Sequence, residues 1–131
     1  IINSSVDILY TGTWNGDQIE IEITGPAIGP VIRNDTNGKE IRLNYTVSLG
    51  ERITIVIDPL KSTVTNNSGQ NLIGTVVDIA DLNDFILSTA GDLTTDGTNT
   101  ITVQAIEGQI PDTTVTFKYY TRDISLFSKR T

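Results

Sequence analysis

The chain has 131 residues, one domain's worth, and can bury about two-thirds of its unfolded surface without a disulfide or metal staple. Ile, Val and Thr supply about 37% of it against four Ala, and such stiff β-branched side chains suit a pleated surface. With no His, no Cys and a net charge of −7, it excludes imidazole and thiol catalysis, Cys/His zinc, c-type haem and iron–sulfur sites, and disfavours nucleic acid or anionic membranes.

The clearest strand is Ile19–Thr24, where Ile19, Ile21 and Ile23 alternate with Glu20, Glu22 and Thr24. Asn15-Gly16 before it is a tight-turn signal, so residues 6–13, with Val6, Ile8 and Tyr10 on one face, are expected to complete a hairpin over residues 5–25. Gly25-Pro26 and Gly29-Pro30 end that unit, because proline cannot donate to a ladder. Val31–Asn34 is a short strand, residues 35–38 form a turn, and Ile41, Leu43 and Tyr45 continue the alternation in residues 39–46. Leu49-Gly50-Glu51 turns the chain into residues 52–58, where Ile53, Ile55 and Ile57 share a face and Val56 suggests burial on the other face as well. A short strand at 61–65 and a polar loop at 66–71 follow. In residues 74–87, Asp81-Leu82-Asn83-Asp84 suits a single helical turn. Residues 88–99 read as a Gly/Thr/Asp loop, 100–105 and 113–122 as strands, and Ile124 to Phe127 as a last short segment. Eight to ten strands at regular spacing predict an all-β fold, an antiparallel β-sandwich or jelly roll. No apolar run approaches the ~20 residues of a membrane span, and no signal peptide is visible. The chain opens Ile1-Ile2-Asn3 and holds no Met, so residues 1–131 are expected to be a processed product or, the favoured account, a single domain cut from a longer protein.

From Asn15 onward the landmarks come in a recognisable order. They are Asn15-Gly16-Asp17, Ile23-Thr24-Gly25-Pro26, Gly29-Pro30-Val31-Ile32-Arg33-Asn34, Ile41-Arg42-Leu43-Asn44-Tyr45, Leu49-Gly50-Glu51 and Ile55-Val56-Ile57-Asp58. Asp84-Phe85-Ile86-Leu87 and Val115-Thr116-Phe117-Lys118-Tyr119-Tyr120 follow. Over residues 15–122 the sequence resembles the C-terminal domain of the siphovirus-type tail component family, the distal tail proteins of long-tailed phages. The resemblance implies a galectin-like or carbohydrate-binding-module-like sandwich in a virion tail, or in the bacterial cytoplasm when expressed from a prophage. It also implies a parent protein whose N-terminal domain forms a hexameric ring, other phage tail proteins as partners, and an isolated domain that is monomeric. The sequence departs from the family pattern at residues 88–97, where Ala90-Gly91 and Asp96-Gly97 stand in place of a Pro-Gly pair.

Three groups of residues were candidates for chemistry or binding. Glu20 and Glu22 leave one strand on the same face, about 6–7 Å apart, which suits a glycosidase pair but equally a solvated strand face, the simpler account. Asp78, Asp81 and Asp84, or Asp92 and Asp96 with Asn99, offer oxygen ligands for Ca²⁺, yet the loop from Asp92 lacks the bidentate Glu at its twelfth position, and solvation and turn capping are the simpler account. No metal, cofactor or catalytic residue is therefore expected. The four sequons, at Asn3, Asn34, Asn44 and Asn66, carry no weight without a secretion signal. A sugar platform would need an exposed aromatic ringed by polar groups, and Trp14 with Asn15 and Asp17, or one of the adjacent Tyr119 and Tyr120, meets that need. The competing account makes Trp14 a cap on the core and the outward tyrosine a cover for its cross-strand neighbour. The expected function is a non-catalytic structural or interaction domain of a phage tail tip, with a module binding cell-wall polysaccharide as the alternative.

Overall fold

The computed structural model describes residues 2–92, 94, 96–105, 107–108 and 113–121. Among them the chain forms β1 (Ile2–Leu9), β2 (Ile19–Thr24), β3 (Ala27–Ile28), β4 (Val31–Asn34), β5 (Lys39–Arg42), β6 (Thr46–Val47), β7 (Arg52–Ile57) and β8 (Thr63–Asn66). A 3-10 turn at Ile73–Thr75 and the helix α1 (Ala80–Asp84) precede β9 (Thr98–Ala105), β10 (Glu107–Gly108) and β11 (Thr114–Tyr119). One four-stranded sheet runs β1-β9-β4-β5, another runs β11-β2-β7-β8, and β10-β3-β6 make a small third sheet. All their pairings are antiparallel, and the two large sheets pack face to face as a β-sandwich.

Alternation explains the core. In the second sheet Ile19, Ile21 and Ile23 stand opposite Ile57, Ile55 and Ile53 on one side, and Tyr119, Phe117 and Val115 on the other. The six isoleucines are buried, each worth about 1.5–3 kcal/mol when taken from water. Ile8, Ile32, Ile41 and Ile101 face them from the first sheet. Val56 is only half-buried, on the outer face between Glu20 and Thr63, so β7 has a single core face rather than two.

The expected hairpin over residues 5–25 does not form. β1 pairs with β9 along eight residues, while β2 pairs with β7 and β11, and residues 10–18 cross from one sheet to the other. A hairpin would set the apolar rows of β1 and β2 side by side, whereas the sandwich puts them across the core. Gly16 has another reason to be glycine: it exchanges two backbone hydrogen bonds of 2.8 Å with Leu87, and an added Cβ would lie 2.9 Å from the Tyr10 ring. The run 39–46 is also broken. Leu43 and Asn44 turn to Pro30, Thr75 and Val76, and β6 resumes in the small sheet. The turn at 35–38 and the helical turn at 80–84 form where expected, and Leu82, Phe85 and Leu87 are buried around the latter. The expected strand at Ile124 to Phe127 lies outside the described residues.

Two asparagines inside the core tie the layers. Asn34 Nδ2 donates to Asn99 Oδ1 at 2.9 Å and to the Ile86 carbonyl at 3.0 Å. Asn99 Nδ2 donates to the carbonyls of Ser88 and Gly97, and its Oδ1 also accepts the Ser88 N–H at 2.8 Å. Truncating Asn99 strands several of these groups, each costing about 1–3 kcal/mol when buried unpaired. Asn99→Ala is expected to lower the urea-unfolding free energy by about 3 kcal/mol, against about 0.5 kcal/mol or less for exposed Leu49→Ala. Equal midpoints for the two variants would contradict a structural role for the pair.

Candidate functional site

Trp14 sits in the crossing from β1 to β2, and its place is set by neighbours that cannot move independently. The buried Tyr10 hydroxyl donates to the Trp14 carbonyl, and two residues later Gly16 is locked to Leu87. The indole is left 46% exposed, which is unusual for a side chain buried on average. It lines an open hollow of about 410 Å³ with Thr13, Asn15, Thr89, Ala90, Gly91 and Asp92. Asn15 joins Trp14 there as the sequence suggested, but Asp17 does not line it.

Tyr119 and Tyr120 part company. Tyr119 shares the core-side face of β11 with Phe117 and packs against Tyr10 and Phe117, with ring centroids 6.4 and 6.5 Å away, while 36% of it stays exposed at the strand end. Tyr120 is 66% exposed and lines a second hollow of about 310 Å³ with Gln18, Ile19, Glu20, Val56, Ile57 and Asp58. Both hollows lie toward one end of the sandwich: Tyr119, Ile19 and Ile57 are paired at the same strand ends, and the crossing that carries Trp14 starts at Tyr10, which packs on Tyr119, and runs into β2 at Ile19. Sequence reading missed Thr89 and Asp92 beside Trp14 and Asp58 beside Tyr120. These contacts depend on which loops share an end, and no local pattern reports that.

A third hollow, of about 250 Å³ and mainly apolar, lies between the edge strands β1 and β11. Val6, Ile101, Val103, Val115 and Phe117 line it. Val115 and Phe117 fall on the core-side face of β11, and they are partly exposed where β11 is an edge strand among the described residues.

The carboxylate candidates are otherwise engaged. Lys118 Nζ lies 3.3 Å from Glu20 and 3.4 Å from Glu22 on the outer face, and these two partners hold its pKa above the ordinary lysine value. Asp78 caps the Ala80 N–H, and Asp96 accepts from Thr98 N–H and Thr94, which lowers its pKa. Burial, then the charges of Asp78 and Asp84, pushes Asp81 up. Asn99 is buried in the core network and cannot join a surface cation site. Among the described residues, no group of three or more acidic side chains is arranged to hold a metal ion. Asn34 is fully buried, which excludes its sequon as a glycan acceptor.

At the opposite end, Glu51 organises the turn into β7. Burial pushes its pKa up, but the Ser48 N–H, the Tyr45 hydroxyl at 2.6 Å and Asn66 outweigh that and hold it below the ordinary 4.5. A carboxyl held low in the folded state contributes stability above pH 4.5, and that contribution is lost as pH falls through its lowered value. Denaturant unfolding from pH 7 to pH 2 is therefore expected to show a shallower acid limb in Glu51→Gln than in the parent chain. An unchanged acid limb would show that these donors do not favour the ionised form.

The described residues define an all-β domain with loop hollows and edge strands. Residues 11–122 match the siphovirus-type tail component, C-terminal domain, and the chain belongs to that family. The match begins a few residues before Asn15 and takes in the crossing that carries Trp14. It makes the protein a phage tail component. No curated protein and no solved structure matches the chain significantly. No helix among the described residues is long and apolar enough to cross a membrane.

Proposed function

We propose that this domain is a non-catalytic structural module of the phage tail tip that works by docking against neighbouring tail proteins. The observation that carries the reading is the family match over residues 11–122. Among the described residues β1 and β11 are the edge strands on one side of the sandwich, and an edge strand can pair with a partner through its backbone. In this reading residues 1–131 are one domain of a longer, ring-forming and hexameric parent, and the domain itself is monomeric. The virion tail is its working location, with the bacterial cytoplasm as the place of synthesis from a prophage.

A second reading, a module that binds cell-wall polysaccharide, is favoured by one observation: Trp14 stands half-exposed in a polar-rimmed hollow. Loops on a rigid sandwich suit either task.

Co-expression with the adjacent tail proteins, followed by hydrogen–deuterium exchange, separates surface from edge docking. Amides of Ser4 to Leu9 or of Thr114–Tyr119 are expected to exchange more slowly in the assembled tail tip than in the free chain. Slowing confined to the loops, with both edges unchanged, would rule out strand pairing.

A further inference from the structure

We propose that the end of the sandwich carrying Trp14 and Tyr120 binds an uncharged polysaccharide, with the two rings as platforms for two of its sugars. This rests on the second reading above and names its site and ligand class.

Four observations carry it. Both exposed rings lie in hollows of about 410 and 310 Å³, within the roughly 300–1,000 Å³ of small-ligand clefts. The ring faces are electron-rich and attract the weakly positive C–H face of a pyranose. The backbone that carries each ring is held before any ligand arrives: at Trp14 by the Tyr10 hydroxyl and the Gly16–Leu87 pair, at Tyr120 by its N–H to the Gln18 carbonyl at 3.1 Å. Such preorganisation lowers the entropy cost of binding. Finally, the rims bear groups that suit hydroxyls: Thr13, Asn15, Thr89 and Asp92 around Trp14, and Gln18, Glu20 and Asp58 around Tyr120.

Charge then chooses among glycans. Neither hollow is lined by a Lys or Arg, while Asp92 lines one and Asp58 lines the other together with Glu20, which is paired with Lys118 on the outer face. A polymer of phosphates or uronates would meet these carboxylates and a net charge of −7, so the anionic wall polymers are disfavoured. Neutral hydroxyls instead donate to the carboxylates, a charge-assisted bond stronger than a neutral one. A protein partner fits less well, since a stable protein interface needs about 800 Å² of continuous surface per side, whereas these rings sit in separate polar-rimmed hollows.

The test uses the 131-residue chain, its Trp14→Ala and Tyr120→Ala variants, and Leu49→Ala as an exposed apolar control at the opposite end of the sandwich. Titration calorimetry is run with uncharged hexasaccharides of glucose, galactose, rhamnose and N-acetylglucosamine, and with poly(glycerol phosphate). Circular dichroism confirms the fold of each variant. Saturable binding of at least one neutral hexasaccharide is expected. It should weaken at least about tenfold in Trp14→Ala, less in Tyr120→Ala, and not in Leu49→Ala. Neutral binding untouched by the Trp14 and Tyr120 variants would move the site elsewhere and leave the polysaccharide reading standing. Binding of poly(glycerol phosphate) alone would overturn the charge argument. No binding to any of these ligands would end both this inference and the second reading, and loss of a tail-protein contact in Trp14→Ala would then make the indole a protein anchor.

Discussion

A pair of buried amides governs the end of the molecule where the exposed aromatics lie. Asn34 and Asn99 occupy core-facing positions on two adjacent strands and are fully buried. Their partners are the backbone of Ile86 to Ser88, which belongs to neither sheet. Asn37 adds two more bonds to the same segment, to the Ile86 carbonyl and the Ser88 hydroxyl. Polar groups in a low-dielectric interior are costly unless paired, and no buried side-chain polar atom among the described residues lacks a partner. The segment is thereby pinned in a single position. Leu87 in turn pairs with Gly16, and residues 89–92 continue from Ser88 as the far wall of the Trp14 hollow. Both walls of that hollow thus descend from one polar cluster in the core.

The sandwich treats its two open sides differently, and this shapes what its surface can do. Between β5 and β8 the chain supplies its own cover. The 3-10 turn, Leu72, Val76 and the helix α1 with Leu82 and Phe85 fill that side. Between β1 and β11 the described residues leave a trough in which Val6 is 54% exposed although its position alternates with core residues. Apolar side chains that face inward yet remain wet are a feature of edges, where a sheet has a neighbour on one side only. The edge docking and the end-loop binding proposed above would therefore use separate surfaces, and one does not preclude the other.

Much of the architecture was legible because period-two alternation is a strong signal when one face is isoleucine and the other glutamate or threonine. That pattern placed β2, β5 and β7, and regular strand geometry required one of the adjacent Tyr119 and Tyr120 to face outward. Pairing was less legible. The rows of β1 and β2 are equally compatible with lying side by side or face to face, and Asn15-Gly16 tipped the reading toward a turn. The glycine is instead demanded by the approach of Tyr10 and Leu87, a tertiary fact with no local signature. Asn34 and Asn99 were hidden for a related reason. Asparagine next to Asp-Thr or Thr reads as turn chemistry, and only the passing segment at residues 86–88 makes it worth burying.

The exposure of Trp14 was the least legible feature, and it bears most on function. A lone tryptophan at a strand crossing would ordinarily fold over the core, and here that place is taken by Tyr10, whose hydroxyl reaches back to the Trp14 carbonyl. Tyr10 is buried, stacks near Tyr119 and crowds Gly16, so it fills the space an indole would have covered. Its hydroxyl then satisfies a backbone carbonyl that the crossing would otherwise leave to water. The outward indole is thus a consequence of a core already closed beneath it. In the sugar-binding reading proposed above, this indole is the platform and the polar rim supplies the hydrogen-bonding groups around it.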